Sequence, residues 1–355
     1  MRSMADRGVR QEEHEAAEPG AKTPNWENVQ TFLEVVRHGS FRSAADHLKL
    51  SINGLRRRID DLEVELGFKV LTRHIGGVSV TPEAEEVLVA AKRMEAASFE
   101  LVRARDCAGP SVAGRVKLAV TEAFGAFWLA PRLVEFQRAN PKLIVDLRCA
   151  MRSADVLRLE ADAAIQLTQP VAPDLKVVKL GRIHSIPCAA PSYLAIYGTP
   201  KTPADLSKHR LALQFAEQTG TKENYDRLFP GVPLDGFAAF CTNNSSALLW
   251  AIIAGAGIGC SPTYMHAMRP KYVALDIGLV FSFDIWLTYH PDAARSPRVR
   301  RLLDWVIESF DPRKFPWFRD EFIHPRDLPK EYRGPPLVNL FEGLTWPNNE
   351  GSIDR

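Results

Sequence analysis

The sequence predicts an α/β protein: a small helical unit with a β-hairpin, then a long amphipathic helix, then a larger body of alternating strands and helices. Three observations carry that expectation. Residues 26–66 hold three helix-period apolar patterns, broken at Gly39-Ser40 and again before Ser51. Residues 82–105 keep small and apolar side chains at spacings of three and four. From Gly114 onward, short β-prone runs alternate with helical ones, a pattern that predicts parallel sheets.

Helix one should run from about Trp26 to Arg37, with Val29, Phe32, Leu33, Val35 and Val36 on its apolar side and Gly39 as its stop. Ser40 is placed to cap the second helix, FRSAADHL, where Ala44 and Ala45 are small enough for a close helix crossing. Ser51 caps the third. In that helix Leu55, Ile59, Leu62 and Leu66 recur at spacings of four, three and four, so they share one buried stripe. Opposite the stripe stand Ile52, Asn53, Arg56 and Arg57, with Arg58 on a flank. After Gly67, FKVLTRHIGGVSVTP reads as two short strands around a Gly-Gly turn, a wing with Arg73 and His74 near its tip.

From Leu48 to Ile59 there are four Lys or Arg residues and no acid. A triplet such as Arg56-Arg57-Arg58 is usually a solvated helix face. On the third helix of a tri-helical unit with a wing it reads instead as a surface that enters the major groove of DNA. Arg suits guanine O6/N7 or phosphate, and Asn suits adenine. The candidate DNA contacts are therefore Ser40, Arg42, Ser51, Ile52, Asn53, Arg56, Arg57, Arg58, Arg73 and His74. Asp60, Asp61, Glu63 and Glu65 follow, so the far half of the helix should leave the groove.

Pro82 opens the long helix, expected to about Arg105. Ala84, Val87, Ala91, Met94, Ser98 and Leu101 form a heptad-like seam. Val87, Ala91, Met94, Ser98 and Leu101 are the candidate dimer contacts, packing of the stripe on its own domain being the alternative.

The 355 residues are 46% hydrophobic, enough for two or three cores, and the formal net charge of +2 means that any nucleic-acid surface must be local. No apolar run approaches the roughly 18 residues of a membrane span. The first 24 residues lack a signal-peptide core and read as a disordered extension. Five scattered cysteines without a CxxC make a disulfide framework improbable and suggest a reducing cytoplasm. There is no HExxH, GxSxG, phosphate-binding loop or Cys/His metal spacing, so no catalytic residue, cofactor or metal is expected. Gly255, Gly257 and Gly259 follow a helix instead of opening one, which argues against a dinucleotide loop. His184 and His290 read as turn or packing residues. Cys149, Cys188, Cys241 and Cys260 sit in strand-like apolar runs and read as buried, inert thiols, with a thiol redox sensor as the competing view.

Residues 26 to about 310 resemble a LysR-type transcriptional regulator. The resemblance is carried by Phe32-x-x-Val35, Gly39-Ser40-Phe41, Ala44-Ala45, Leu48, Ser51, Leu55, Arg57-x-Ile59, Leu62-Glu63, Leu66-Gly67 and Leu71-x-Arg73, with Thr81 before the linker helix. Further on, PSYLAIYGTPKTPADL and AIIAGAGIGCSPTYM add to it. Where the family usually has a Gln-Pro-Ala-Leu-Ser-Arg-Gln type of helix start, this chain has Ile52-Asn53-Gly54-Leu55-Arg56-Arg57-Arg58. Gly54 inside a helix costs about 1 kcal/mol against Ala.

The resemblance implies two Rossmann-like, periplasmic-binding-protein-like α/β subdomains: I at 114–184 and 285–310, II at 185–284. They follow a DNA-binding domain at 25–81 and a linker helix at 82–106, and precede a carboxy-terminal extension at 311–355. It also implies operator or promoter DNA, a small-molecule effector, dimers or tetramers of the chain, and RNA polymerase as partners, with no membrane. The effector would lie at the carboxyl ends of strands. There Thr121, Met151, Ser153, Thr168, Gln169, Asn243 and Asn244 are the candidates, with capping and turn bonding as the plainer role of the threonines. An enzyme or binding protein with an accessory DNA-binding-like domain is the less favoured class. The extension is rich in Pro yet carries Phe315, Trp317, Phe318, Phe322, Leu340, Phe341 and Trp346, so part of it should pack on the body of its own or a neighbouring subunit.

Overall fold

The computed structural model describes residues 23–107, 112–219 and 221–337. The expectation for the amino-terminal extension, and those for Leu340, Phe341 and Trp346, lie outside the described residues, Thr23 and Pro24 apart. The chain divides into two compact units, with the boundary between Ser98 and Phe99 inside the long helix.

In the first unit α1 (Trp26–His38) starts under the Asn25 side chain and stops at Gly39, whose φ of 60° is left-handed. The second helix, α2 (Phe41–Leu48), starts at Ser40; α3 (Ile52–Leu66) starts at Ser51, whose hydroxyl accepts the Gly54 N–H at 3.0 Å. Phe32, Val35, Ala44, Leu55 and Leu62 are fully buried between the three helices. Strands β1 (Leu71–His74) and β2 (Gly77–Val80) pair antiparallel as the wing. Val78 N–H donates to the Gly39 carbonyl at 3.0 Å, and a Cβ at Gly77 would run into that same oxygen. Two glycines thus let the wing lie against the α1–α2 turn.

The long helix α4 (Glu85–Cys107) divides the expected seam. Ala84, just before it, and Ala91 are buried in the core of the first unit, and Val87 packs against that core. Ala90, Met94, Ala97 and Leu101, spaced four, three and four, stay exposed. The dimer face expected at Val87 and Ala91 is therefore corrected: the α1–α3 core covers that edge, and the open stripe lies one residue round the helix.

The second unit is built on a seven-stranded mixed sheet. Strands β3 (Gly114–Val120), β4 (Leu143–Cys149) and β5 (Ala163–Gln166) are parallel, with α5 (Ala130–Ala139) in the first crossover. Then β6 (Lys176–Ala189) runs 14 residues through both lobes. The second lobe follows as α6 (Pro191–Tyr197), β7 (Leu211–Gln214), α7 (Thr221–Leu228), β8 (Ala238–Thr242), α8 (Ser245–Ile253), β9 (Gly259–Pro262), α9 (Thr263–His266) and β10 (Val273–Ala274). The chain returns along β11 (Phe281–Tyr289), antiparallel to β6 from Ser185↔Phe281 to Lys176↔Tyr289. The two expected strands LKVVKLG and IPCAAP are one strand, and the sheet is mixed, because both crossings use the same antiparallel pair. The helix α10 (Pro297–Ser309) packs Leu302, Leu303 and Val306 inward.

The described part of the extension beyond α10, to residue 337, docks on its own body. Trp317 and Phe318 are almost fully buried, and both meet Trp128 edge-on at 5.6 and 5.1 Å. Leu180 is the extra residue of a bulge in β6, opposite Ile285/Trp286, and next to it Gly181 leaves room for the Phe318 backbone. His184 Nε2 donates to the Arg319 carbonyl at 3.0 Å while Nδ1 bonds the Ser282 hydroxyl at 2.8 Å. Lys179 reaches Asp320 at 2.6 Å. A final turn, α11 (Leu328–Glu331), buries Leu328.

Phe318→Ala should lower stability by about 3–5 kcal/mol, the usual cost of deleting a fully buried aromatic, as read from urea unfolding of the full chain. Acid should also destabilise this unit. Burial lowers the pKa of His184, and pushes that of His266 down to about 4. The unfolded chain takes up these protons near pH 6.5, the folded chain only below that. Stability that is complete above about 6.5 is thus lost as pH falls toward about 4, by roughly 3 kcal/mol for His266. Urea midpoints at pH 7 and pH 5 check the sign; a higher midpoint at pH 5 would refute it.

Candidate DNA-reading face and effector cavity

The first two turns of α3 place the DNA-reading candidates. Leu55 and Ile59 anchor the helix inward, and Ile52, Asn53, Arg56 and Arg57 are all exposed on the opposite side. Ser51 is spent on capping, and Ser40 accepts from the Ser43 N–H at 3.5 Å. Arg58 is turned toward α1 and pairs with Glu27 at 2.9 Å, whereas Arg57 is held only loosely by Asp61 at 4.0 Å. Arg42 is exposed at the start of α2. Arg73 lies over the Phe41 ring at 4.5 Å, which joins the wing to α2, and His74 Nδ1 accepts the Gly76 N–H at 3.1 Å. Ile75, unremarked in the sequence, is the fully exposed wing tip. Arg56, Arg57 and Asn53 therefore form one face of cationic and amide donors, set on a helix whose other face is locked in a core.

In the second unit a cavity of about 200 Å³ opens between the lobes at the carboxyl ends of β3 and β5. Of the sequence candidates, Thr121 and Met151 line it; Thr121 is 3% exposed and its carbonyl accepts the Gly125 N–H at 3.0 Å. Ser153, Thr168, Gln169, Asn243 and Asn244 do not line it. Asn244 and Ser153 are engaged in other hydrogen bonds. Asn244 caps α8 through the Ala247 N–H at 2.8 Å, and the Ser153 N–H donates to Glu217 at 3.3 Å. Thr168 and Gln169 are exposed, the Thr168 carbonyl taking the Gln166 side chain at 2.7 Å.

The strand end at 243–245 was read as a candidate stretch, and its Ser245 lines the wall; sequence reasoning missed Gln214, Thr219 and Asn224, which add polar points to it. Gln214 donates to Ser245 at 3.0 Å across the ends of β7 and α8. The apolar wall includes Phe124 and Phe127, presented by a π-helical turn, Phe124–Leu129, that the sequence did not signal. Among the described residues none that lines the cavity is charged. Glu122 reaches across from the end of β3 to the amino end of α8, where its carboxylate accepts the Ser246 N–H at 2.9 Å and the Ser246 hydroxyl. A helix amino terminus carries partial positive charge, and here an internal carboxylate takes it.

Cys149, Cys188, Cys241 and Cys260 lie on strands, but of these only Cys188 is fully buried; Cys149 and Cys241 are exposed, which corrects the expectation that all four are covered. Burial raises all four thiol pKa values, that of Cys260 to about 12, and Glu122 adds to the effect at Cys149. They stay protonated near neutrality, a poor state for redox sensing. No described helix is long and apolar enough to cross a membrane.

A winged helix-turn-helix reader and a two-lobed α/β body with a cleft cavity define a ligand-controlled DNA-binding regulator. The model of the LysR substrate binding domain matches residues 110–311, and that of the bacterial regulatory helix-turn-helix protein, lysR family, matches residues 26–85. The chain belongs to the LysR-type transcriptional regulators. It is 25% identical over 291 residues to the probable HTH-type transcriptional regulator LtrA of Klebsiella pneumoniae, covering 79% of this chain and 94% of that one. The glycine cleavage system transcriptional activator of Escherichia coli is 29% identical over 291 residues, 81% and 94% of the two chains. Full-length AphB, the Vibrio cholerae virulence activator, shares the fold at a TM-score of 0.51 and 19% identity, over 80% of this chain and 99% of that one.

Arg57→Ala should weaken duplex binding similarly on all sequences and flatten the salt dependence by about one unit of slope. Arg56→Ala and Asn53→Ala should instead change which bases are preferred, at about 1–3 kcal/mol per lost base contact. Mobility shifts on a randomised operator pool separate the two outcomes.

Proposed function

We propose that the face formed by Asn53, Arg56 and Arg57 reads operator DNA in the major groove, with Ile52 beside it and the wing residues Arg73 and His74 on the flanking backbone. The supporting observation is their joint exposure on the first two turns of α3, opposite the buried Leu55 and Ile59. The chain acts as a dimer through the open stripe Ala90, Met94, Ala97 and Leu101, so that two readers meet one duplex. A cytoplasmic regulator of this type controls initiation by RNA polymerase. Steeply salt-dependent, sequence-specific duplex binding is the expected result with genomic fragments selected by the protein, and its absence would sink this reading.

The effector belongs in the cavity at Thr121, Met151 and Ser245, and it is an uncharged molecule with a large apolar surface. Two observations favour that class: an uncharged wall rich in aromatic and aliphatic groups, and a helix amino end already filled by Glu122. A ligand carboxylate placed there would meet a fixed negative charge. In thermal-shift measurements with matched aromatic amides and acids, the amides should stabilise the wild-type protein more. Glu122→Gln should narrow that preference. Stronger stabilisation of the wild type by the acids would contradict the assignment.

A further inference from the structure

We propose that Glu34, His38 and His47 form a binding site for one divalent transition-metal ion of the zinc class, tying α1 to α2 in the DNA-reading unit. Glu34 and His38 stand one turn apart on α1, and His47 comes from the last turn of α2. The Glu34 Oε2 atom lies 3.4 Å from His38 Nε2 and 3.6 Å from His47 Nε2, and the three ligand atoms are all within 4.8 Å of one another. A tetrahedral ion with bonds of 2.0–2.1 Å has edges of about 3.4 Å between its ligands, so two of the three edges already fit. The imidazole rings are 4.9 Å apart with both Nε2 atoms turned to the same carboxylate oxygen.

The surroundings favour an ion over a fortuitous cluster. Glu34 is 3% exposed, so its carboxylate is fixed. Its other oxygen pairs with Arg37, which is held in turn by Glu95 at 3.0 Å. A carboxylate oriented through its second oxygen is the usual outer support of a metal ligand, and Glu95 offsets the Arg37 charge. Both histidines reach the surface, which leaves an entry path and a fourth position for water. Two imidazoles and one carboxylate suit zinc, cobalt or nickel better than calcium or magnesium. Once bound, the ion would brace the end of α2 just before Lys49, whose left-handed φ of 55° turns the chain toward α3.

The test uses the full, untagged chain, stripped with chelator and titrated calorimetrically with zinc alone and with cobalt alone. One saturable ion per chain is expected, with a rise in melting temperature. His38→Gln and His47→Gln should each weaken binding at least tenfold and abolish that rise, while leaving the melting temperature of the metal-free protein within a degree or two. His47→Cys, which keeps a metal-ligating atom, should restore binding. Absence of saturable binding, or equal affinity in the wild type and both glutamine variants, would overturn the site. A loss of binding that His47→Cys fails to recover would also overturn it, since that points to a folding defect.

Discussion

The antiparallel pairing of β6 with β11 is the constraint on which the second unit depends. One 14-residue strand and its partner carry the chain into the second lobe and back, so both lobes hang from a single two-stranded spine. Antiparallel neighbours share backbone hydrogen bonds along their whole length, which makes the pair stiff in register. The cleft falls where the pair passes from one lobe to the other, and Ile183, Ser185, Phe281 and Phe283 of the two strands line its cavity. The bulge at Leu180 adds the local bend, and the carboxy-terminal segment braces it from outside through Phe318, Arg319 and Asp320.

The two lobes are joined by apolar packing, with Tyr264 stacked on Phe124 at 5.4 Å, and by hydrogen bonds at the rim of the cavity. The Glu122 carboxylate on the α8 amino end joins the first lobe to the second, as does Leu167 N–H to Gln218 at 2.8 Å. Each is a hydrogen bond at the rim of a mostly apolar cavity. Such bonds are modest individually, about 0.5–1.5 kcal/mol net and somewhat more for a charged partner.

Much of the first unit was legible in the sequence. Helical periodicity separates Leu55 and Ile59 from Asn53 and Arg57 without any tertiary information, and cap residues bound each helix. The long helix was less legible. Its stripe of Ala84, Val87 and Ala91 has the same period whether it packs on α1–α3 or on a second chain, so period alone could not assign it. The cavity residues were least legible. Thr121 and Met151 line it, but Asn244 caps α8 and Thr168 and Gln169 lie exposed, while Gln214 meets Ser245 only when β7 and α8 pack together.

By itself the sequence determined the three helices of the first unit, the exposed cationic face of α3, and the alternation of strands and helices, because these follow from local spacing and backbone preference. Tertiary structure decided which edge of α4 stays open, which side chains wall the cavity, and that a carboxylate from one lobe fills a helix end in the other. It also brought His47 to Glu34 and His38 across two helices. Each of these joins residues far apart in the chain or weighs two partners of equal local merit, and only packing can choose between them.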